Sequence, residues 1–426
     1  MKTTHEKMGY TSIILFGINA IIGSGIFLLP NQVYSIVGTS SIFIFIFDAL
    51  VVLATALCFA EAATLFKKDG GPFLYAQAAF GDFWGFEVGF VKWIANMIAW
   101  AVMSNGLATT LGTVFPALKS HLSQQLILIV LITGLTLVNL AGVNSLTWLN
   151  NISTVAKLVP LILFVVIGIF FIQGQNYVPV ISPKLNFNSF GSASLVIFYA
   201  FAGFESFAVP AEDMEDPEKT LPRAIIIVMI IVPLFYLLLQ IVSIGILGKN
   251  LGSFDTPIQT AMQQIMGQRG YILVVIGEII SITGISTALS FYTPRSAVIL
   301  AEYQMLPKFM NNRDKKGTPY WSIIISGIIT LVIALSGTFK TLVVIVVVSK
   351  FAQYIPTILS IPVLRKKYPN RKNSFKIPGG LIVPAFALIA SIWLLFHASA
   401  RELIWGLGGY LIAIPFYFIA KSKIKA

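Results

Sequence analysis

The chain is short of nearly everything a water-facing surface needs. Of its 426 residues only 11% are charged, 29 basic and 17 acidic, and three are histidine. A soluble domain carries roughly a quarter of its residues as charges, so a globular surface in water is excluded. The single cysteine, Cys58, excludes an internal disulfide and reads as a small buried apolar residue. His5, His121 and His397 do not cluster, so no metal site is expected. There is no G-x-x-x-x-G-K-[ST] loop or soluble nucleotide domain for an ATP-driven pump. A membrane hydrolase would lack its H-E-x-x-H helix or G-x-S-x-G elbow. No cofactor is implied, and no ring of repeated polar residues suggests a channel filter.

What is present is apolar length. Hydrophobic residues make up 57% of the chain and the mean hydropathy is +0.85, so the solvent is mostly lipid. Runs of about 17 to 30 apolar residues recur, each long enough to cross a hydrocarbon layer of roughly 30 Å as a helix. They predict about twelve spans, near residues 9–36, 40–66, 84–115, 124–143, 150–173, 191–211, 223–248, 271–301, 320–336, 340–363, 381–398 and 402–420. The first run is too long for a signal-peptide core and lacks a small-residue cleavage site, so it is expected to stay attached.

The formal charge of +12 is an orientation signal and not a nucleic-acid footprint. With the N-terminus inside, 20 of the 29 Lys and Arg fall in cytoplasmic segments, from Lys2 and Lys7 through Arg295, Arg365 and Lys376 to Lys425. External loops hold six, Lys119, Lys184, Lys249, Arg269, Lys340 and Arg401, and Lys92, Lys157 and Lys350 lie within spans or at their edges. The positive-inside rule then puts both termini in the cytoplasm of a multi-pass protein of the cell membrane.

Two spans are interrupted in corresponding places. Ile21-Ile22-Gly23-Ser24-Gly25-Ile26-Phe27 puts two glycines mid-membrane in the first, and Ala200-Phe201-Ala202-Gly203-Phe204-Glu205 puts a glycine and a carboxylate at similar depth in the sixth. Their separation by five spans suggests inverted repeats, 1–175 and 176–365, with two further helices and a tail in 366–426. Glycine favours unwinding, and unwound backbone is tolerated in lipid only where it lines a cavity or meets a polar ligand. Amides opening one half-helix suit a carboxylate and carbonyls ending another suit an ammonium, the two ends of an amino acid. Gly-Ser-Gly alone reads equally well as close helix packing; its pairing with the second break favours a site.

These residues resemble the amino acid-polyamine-organocation superfamily of permeases. The similarity lies in Ile22 to Phe27, in Phe201 to Glu205 with Ala211 to Pro217 and Leu221 to Ile225, in Glu61 to Tyr75 with Gly70-Gly71-Pro72, and in Pro294-Arg295, Leu306-Pro307 and Gly317-Thr318-Pro319. It covers essentially the whole chain. The resemblance implies an all-α integral membrane protein of LeuT-like fold, working by alternating access around an amino-acid site between helices one, three, six and eight. It implies that the substrate carboxylate meets amides near Ser24, Gly25 and Ile26. The ammonium would meet carbonyls near Ile21 and from Ala200 to Ala202, around Gly203, with Phe201 or Phe204 closing over the substrate. It implies also that Lys157 stands where sodium-coupled relatives hold a cation, with Ser286 and Thr287 in reach.

Intramembrane charges are costly and therefore provisionally functional. Besides bridging helices, Lys157 reads as a lysine snorkelling to the cytoplasm. Glu205 reads either as a proton-sensitive gate or as a structural carboxylate bonded to freed amides. Glu278 faces either a cationic substrate side chain or a partner near the outer mouth. Asp48, Glu61 and Glu87 with Lys92 read as packing pairs and cytoplasmic gate elements, and the run Glu212 to Glu218 as a loop acting on basic inner segments or merely solvated. Asn96, Met97, Trp100 and Ser281 are candidate side-chain walls, mixed apolar and small polar, which suits neutral amino acids. The expectation is a sodium-independent amino-acid carrier, working by exchange or proton coupling. A cationic amino-acid or polyamine carrier and an amino-acid sensor are the alternatives. Tails of about ten residues or fewer disfavour a sensor, which would use long regulatory ones, and the sequence leaves oligomeric state open.

Overall fold

The computed structural model describes residues 9–66, 71–142, 146–208, 217–315, 317–369 and 375–424. Every regular element among them is helical: α1 (Tyr10–Ile21), α2 (Ser24–Leu28), α3 (Pro30–Val37), α4 (Ser41–Ala63), α5 (Pro72–Phe80), α6 (Asp82–Val114), α7 (His121–Leu140) and α8 (Leu146–Gly168) come first. They are followed by α9 (Phe187–Phe201), α10 (Pro217–Leu247), α11 (Pro257–Glu302), α12 (Tyr320–Ser336), α13 (Phe339–Lys367), α14 (Ile382–Leu395) and α15 (Ala400–Ile424), with short 3-10 turns between. Among the described residues nine helical stretches are long and apolar enough to span a membrane, and three shorter apolar helices, α1, α12 and α14, accompany them. The acidic run 212–218 lies outside the residues whose side chains are described.

Two elements depart from the expected spans. The loop expected after residue 66 contains a separate helix, α5, because Pro72 supplies a preformed first turn while Gly71 (φ 55) and Gly81 (φ 94) reverse the chain at either end. The eighth span is preceded by a helical segment that starts at Pro257 and turns at Gly267 (φ 63, ψ −154) into the membrane-crossing part of α11. Gly267 adopts a left-handed angle that other residues resist.

Helix α6 forms the core of the bundle. Gly85 and Gly89 let α5 and α11 approach so closely that an added Cβ would meet Gln77 at 2.6 Å and Leu300 at 2.7 Å. Trp93 Nε1 donates to Ser326 Oγ on α12 at 3.0 Å, and Asn105 Nδ2 reaches the Ala334 carbonyl at 3.1 Å. By contrast α7 and α15 turn Leu122, Val130, Leu137, Ile404, Leu411 and Phe418 outward, as helices facing lipid do.

The two ends of the bundle are tied differently. At the distal end, loops interlock through bonds between side chains and backbone: Asn31 Nδ2 donates to Phe254 O at 2.6 Å, Ser35 Oγ to Gly252 O at 3.1 Å, and Ser182 N to Ser40 Oγ at 2.8 Å. At the proximal end Arg365 Nε and Nη2 donate to both carboxylate oxygens of Glu61 at 2.7 and 2.8 Å, and Ile377 N adds a third bond to Glu61 at 2.7 Å. Glu61 thus joins the ends of α4 and α13 to the segment leading into α14, and bidentate geometry makes such a pair strong. Arg365→Ala leaves the buried Glu61 carboxylate without its counter-charge and is expected to cost about 3 kcal/mol. A lowered melting temperature of the detergent-solubilised protein is the measurement that checks it.

Candidate functional site

The first break begins where α1 stops at Ile21. Ile22 is extended (φ −74, ψ 95), Gly23 follows (φ −120, ψ −150), and Ser24 opens α2. The released carbonyls are not left bare. The Lys157 ammonium, fully buried on α8, donates to Asn19 O at 2.9 Å and to Ile22 O at 2.6 Å. Ser281 Oγ on α11 donates to the same Ile22 carbonyl at 3.3 Å, and Tyr236 on α10 donates to Ile21 O at 3.3 Å. Three helices therefore meet at the end of α1. The opening amides of α2, those of Ser24, Gly25 and Ile26, have no acceptor within their own helix.

The second break begins after Phe201, with Ala202 extended (φ −69, ψ 147) and Gly203 at φ +125. A Cβ on Gly203 would lie 2.2 Å from the Ala20 carbonyl oxygen, and one on Gly25 would lie 2.8 Å from Ala200 Cα. Both glycines are required because the two interrupted chains touch backbone to backbone. Gly203 N donates to Glu205 Oε2 at 2.9 Å, Tyr354 donates to the same oxygen at 2.8 Å, and Lys350 forms an ion pair with Oε1. Lys350 and Tyr354 both stand on α13, so this buried cluster holds the second break to a helix outside it.

Several expected contacts are corrected. Ser286 and Thr287 do not serve Lys157: the Ser286 hydroxyl finds no partner among the described residues and Thr287 bonds back to Thr283 O at 2.8 Å. Ser281, one to two turns earlier on α11, takes that position. Phe201 does not close over the break; its ring packs on Phe45 and Tyr236, and that of Phe204 packs on Phe59 and Tyr354 toward the proximal end. Tyr199 occupies the place instead, its hydroxyl 3.3 Å from Ser24 Oγ and its ring edge-on to Phe339 at 6.2 Å. Helical geometry explains the swap: Ala200 is spent on contact with Gly25, and residues adjacent to it face different sides.

The expected wall on α6 shifts as well. Asn96 lies well proximal of the break and reaches Ser296 Oγ at 3.4 Å; Met97 and Trp100 are buried in the bundle, the Trp100 indole N–H without a partner among the described residues. The residues that meet the break are Met103, whose sulfur lies 3.4 Å from Ser24 Oγ, and Gly106, where a Cβ would lie 3.1 Å from Ser24 Cβ and 3.4 Å from the Phe339 ring. Ile285 on α11 lies against Gly23. Spacing offered a signal for two of these, since Met103 follows Trp100 by three positions and Ile285 follows Ser281 by four, each a step along one helix face.

Glu278 faces away from the break. Its two oxygens are met by Thr110 Oγ1 on α6 at 2.9 Å and by the Gln259 amide. Glu87 accepts no hydrogen bond among the described residues, and Asp48 lies buried beside Ser194. On the distal side a cavity of about 250 Å³ lies between α3, α6, α13 and the segment before α11, with Phe339 in its wall and Asp255, Thr338 and Lys340 at its exposed rim.

A family model described as amino acid permease matches residues 8–414. An uncharacterized transporter of Mycobacterium tuberculosis is 30% identical, over 97% of this chain and 91% of its own length. A serine/threonine exchanger of Bacillus subtilis is 26% identical over 98% of this chain and 97% of its own length. A branched-chain amino acid permease of the same organism is 23% identical over 99% and 94%. With two backbone breaks in contact inside a bundle of apolar helices, and with a family model spanning nearly its whole length, this chain is a multi-pass membrane transporter that belongs to the amino acid permease family.

Proposed function

We propose that this chain carries neutral amino acids across the cell membrane without sodium, by alternating access around the two touching breaks. The observation that carries the reading is the Lys157 ammonium on the Asn19 and Ile22 carbonyls. A lysine amino group, fixed or titrating in charge, already stands where backbone oxygens would otherwise attract a metal cation. The amides of Ser24, Gly25 and Ile26 are then the receptor for a substrate carboxylate, and the carbonyls at Ala200 to Ala202 the receptor for its ammonium.

The side-chain preference follows from what lines the space. Met103, Ile285, Tyr199 and Phe339 offer apolar and aromatic surface, and the one acid on this part of α11, Glu278, is engaged by Thr110 and Gln259. That disfavours a cationic amino acid or polyamine, which needs a free carboxylate. The two B. subtilis relatives are named for serine and threonine and for branched-chain amino acids, all neutral.

Alternation is read from the clasps. We place both termini in the cytoplasm, with residues 1–175 and 176–365 as inverted repeats and 366–426 appended. The proximal end is then the inner one. There the Glu61–Arg365 and Glu205–Lys350–Tyr354 contacts join the breaks and α4 to α13, while the cavity lies on the outer side. Opening inward requires both clasps to part. Glu205 works as a gate carboxylate whose charge Lys350 compensates while the inner side is closed.

In proteoliposomes, labelled leucine and serine are expected to enter at equal rates in sodium and choline buffers, and arginine and putrescine to compete poorly. Uptake that requires sodium overturns the first part, and efficient arginine or putrescine uptake the second. Lys157→Gln should lower transport by roughly 10- to 100-fold, the equivalent of losing a charged hydrogen-bond donor. Transport within a factor of two of wild type would remove Lys157 from the mechanism.

A further inference from the structure

The hydrogen bonds around Glu278 do not close for a carboxylate. Thr110 Oγ1 lies 2.9 Å from Glu278 Oε1 and 3.1 Å from the Gly106 carbonyl. A threonine hydroxyl has one proton, and two acceptors surround it. If Glu278 is ionised, one of those contacts is acceptor against acceptor. If Glu278 carries a proton on Oε1, each of its contacts pairs one donor with one acceptor: the acid O–H donates to Thr110 Oγ1, Thr110 donates to Gly106 O, and Gln259 Nε2 donates to Oε2.

Among the described residues no cation pairs with Glu278; the nearest candidates, Arg269 on its own helix and Lys340 at the cavity rim, are exposed. Glu278 is fully buried, and an isolated carboxylate at that depth is expensive unless paired. Its own helix offers Tyr271, two turns distal, whose hydroxyl bonds Thr113. From α8 the titratable group is Lys157, committed to the Asn19 and Ile22 carbonyls. Helix α10 presents Tyr236, committed to Ile21 O. On α6 the charged residues Glu87 and Lys92 lie about five or more turns away by helical rise, and α12 carries no charged residue. Asp255, ahead of α11, is exposed at the cavity rim. Glu205, by contrast, has Lys350.

Position gives this group a lever. Gly106 is the residue against which Ser24 and Phe339 pack, and Thr109, its near neighbour, lines the distal cavity. Gln259 belongs to the segment before Gly267, which also borders that cavity through Asp255. Gln259 therefore stands between Glu278 and the segment that borders the cavity.

We propose that Glu278 is the proton-binding site of this carrier: it takes up a proton from the distal cavity, holds it while Gln259 and Thr110 enclose it, and thereby links a proton to each amino acid moved. This rests on the amino-acid transport reading. The proton adds to Oε1, and its loss to water on the proximal side, when the Glu61–Arg365 and Glu205–Lys350 clasps part, regenerates the carboxylate.

The test is accumulation of labelled leucine in proteoliposomes with an acidic outside. Wild type is expected to concentrate leucine under the gradient, with uptake falling as the outer pH rises through the Glu278 titration. Glu278→Gln, closest in shape, should lose the gradient-driven component, while Glu278→Asp, which keeps a titratable proton, should retain more of it. A merely structural Glu278 predicts the reverse order, and that order overturns the proposal. Where Glu278→Gln gives no folded protein, Thr110→Val replaces it: removing the proton's acceptor must displace the pH of half-maximal uptake, and an unmoved midpoint overturns the proposal. Leucine uptake indifferent to the proton gradient in wild type overturns this inference alone; no uptake of any amino acid overturns the reading beneath it.

Discussion

The arrangement of this bundle hangs on one ammonium in the middle of a membrane. Breaking α1 releases carbonyls that have no water to bond, and each unsatisfied group in hydrocarbon costs several kcal/mol. Lys157 answers two of them at once, at 2.9 and 2.6 Å. Neither partner is tolerable alone: the carbonyls need donors, and a buried ammonium needs acceptors. Their union locks α8 to the break, and Ser281 and Tyr236 add α11 and α10 to the same point. The helix interruption is thereby a junction and not a defect.

The second constraint is compensation. Glu205 carries a charge into the bundle and Lys350 meets it there, so the second break is secured to α13 by a neutralised cluster. Glu61 and Arg365 repeat the solution where α4 and α13 end. In each case the carboxylate also accepts a backbone N–H, from Gly203 or Ile377, so charge pairing and backbone satisfaction are achieved by one side chain. Buried pairs of this kind contribute modestly to net stability but are costly to break on one side.

The apolar runs announced the membrane helices, and the glycines at 23, 25 and 203 announced both breaks, because period and backbone freedom are local properties. Contacts across the bundle were less accessible. Lys157 was legible as a charge out of place, but its acceptors are backbone oxygens, which every residue has. Lys350 looked like one of three lysines at the edge of spans; only folding brings it to Glu205, 145 positions away. The ring closing over the first break was misassigned because aromatic residues occupy 198, 199, 201 and 204, and which of them faces the break depends on where α9 stops. The helix starting at Pro257 escaped notice since its amphipathic surface is short and ends at a left-handed glycine.

The contact of Gly203 with the Ala20 carbonyl has a consequence for how such a protein can change over time. The floor between the breaks is made of main chain, fixed by three glycines and by side chains that reach it from behind. The surfaces above it, Met103, Tyr199, Ile285 and Phe339, are ordinary side chains that pack on that floor without forming its main-chain contacts. On the proposed site, head-group capture and side-chain choice fall to different parts of the chain, so substitutions in the upper set would redirect the carrier to a different cargo while the main-chain contacts between the breaks stay as they are.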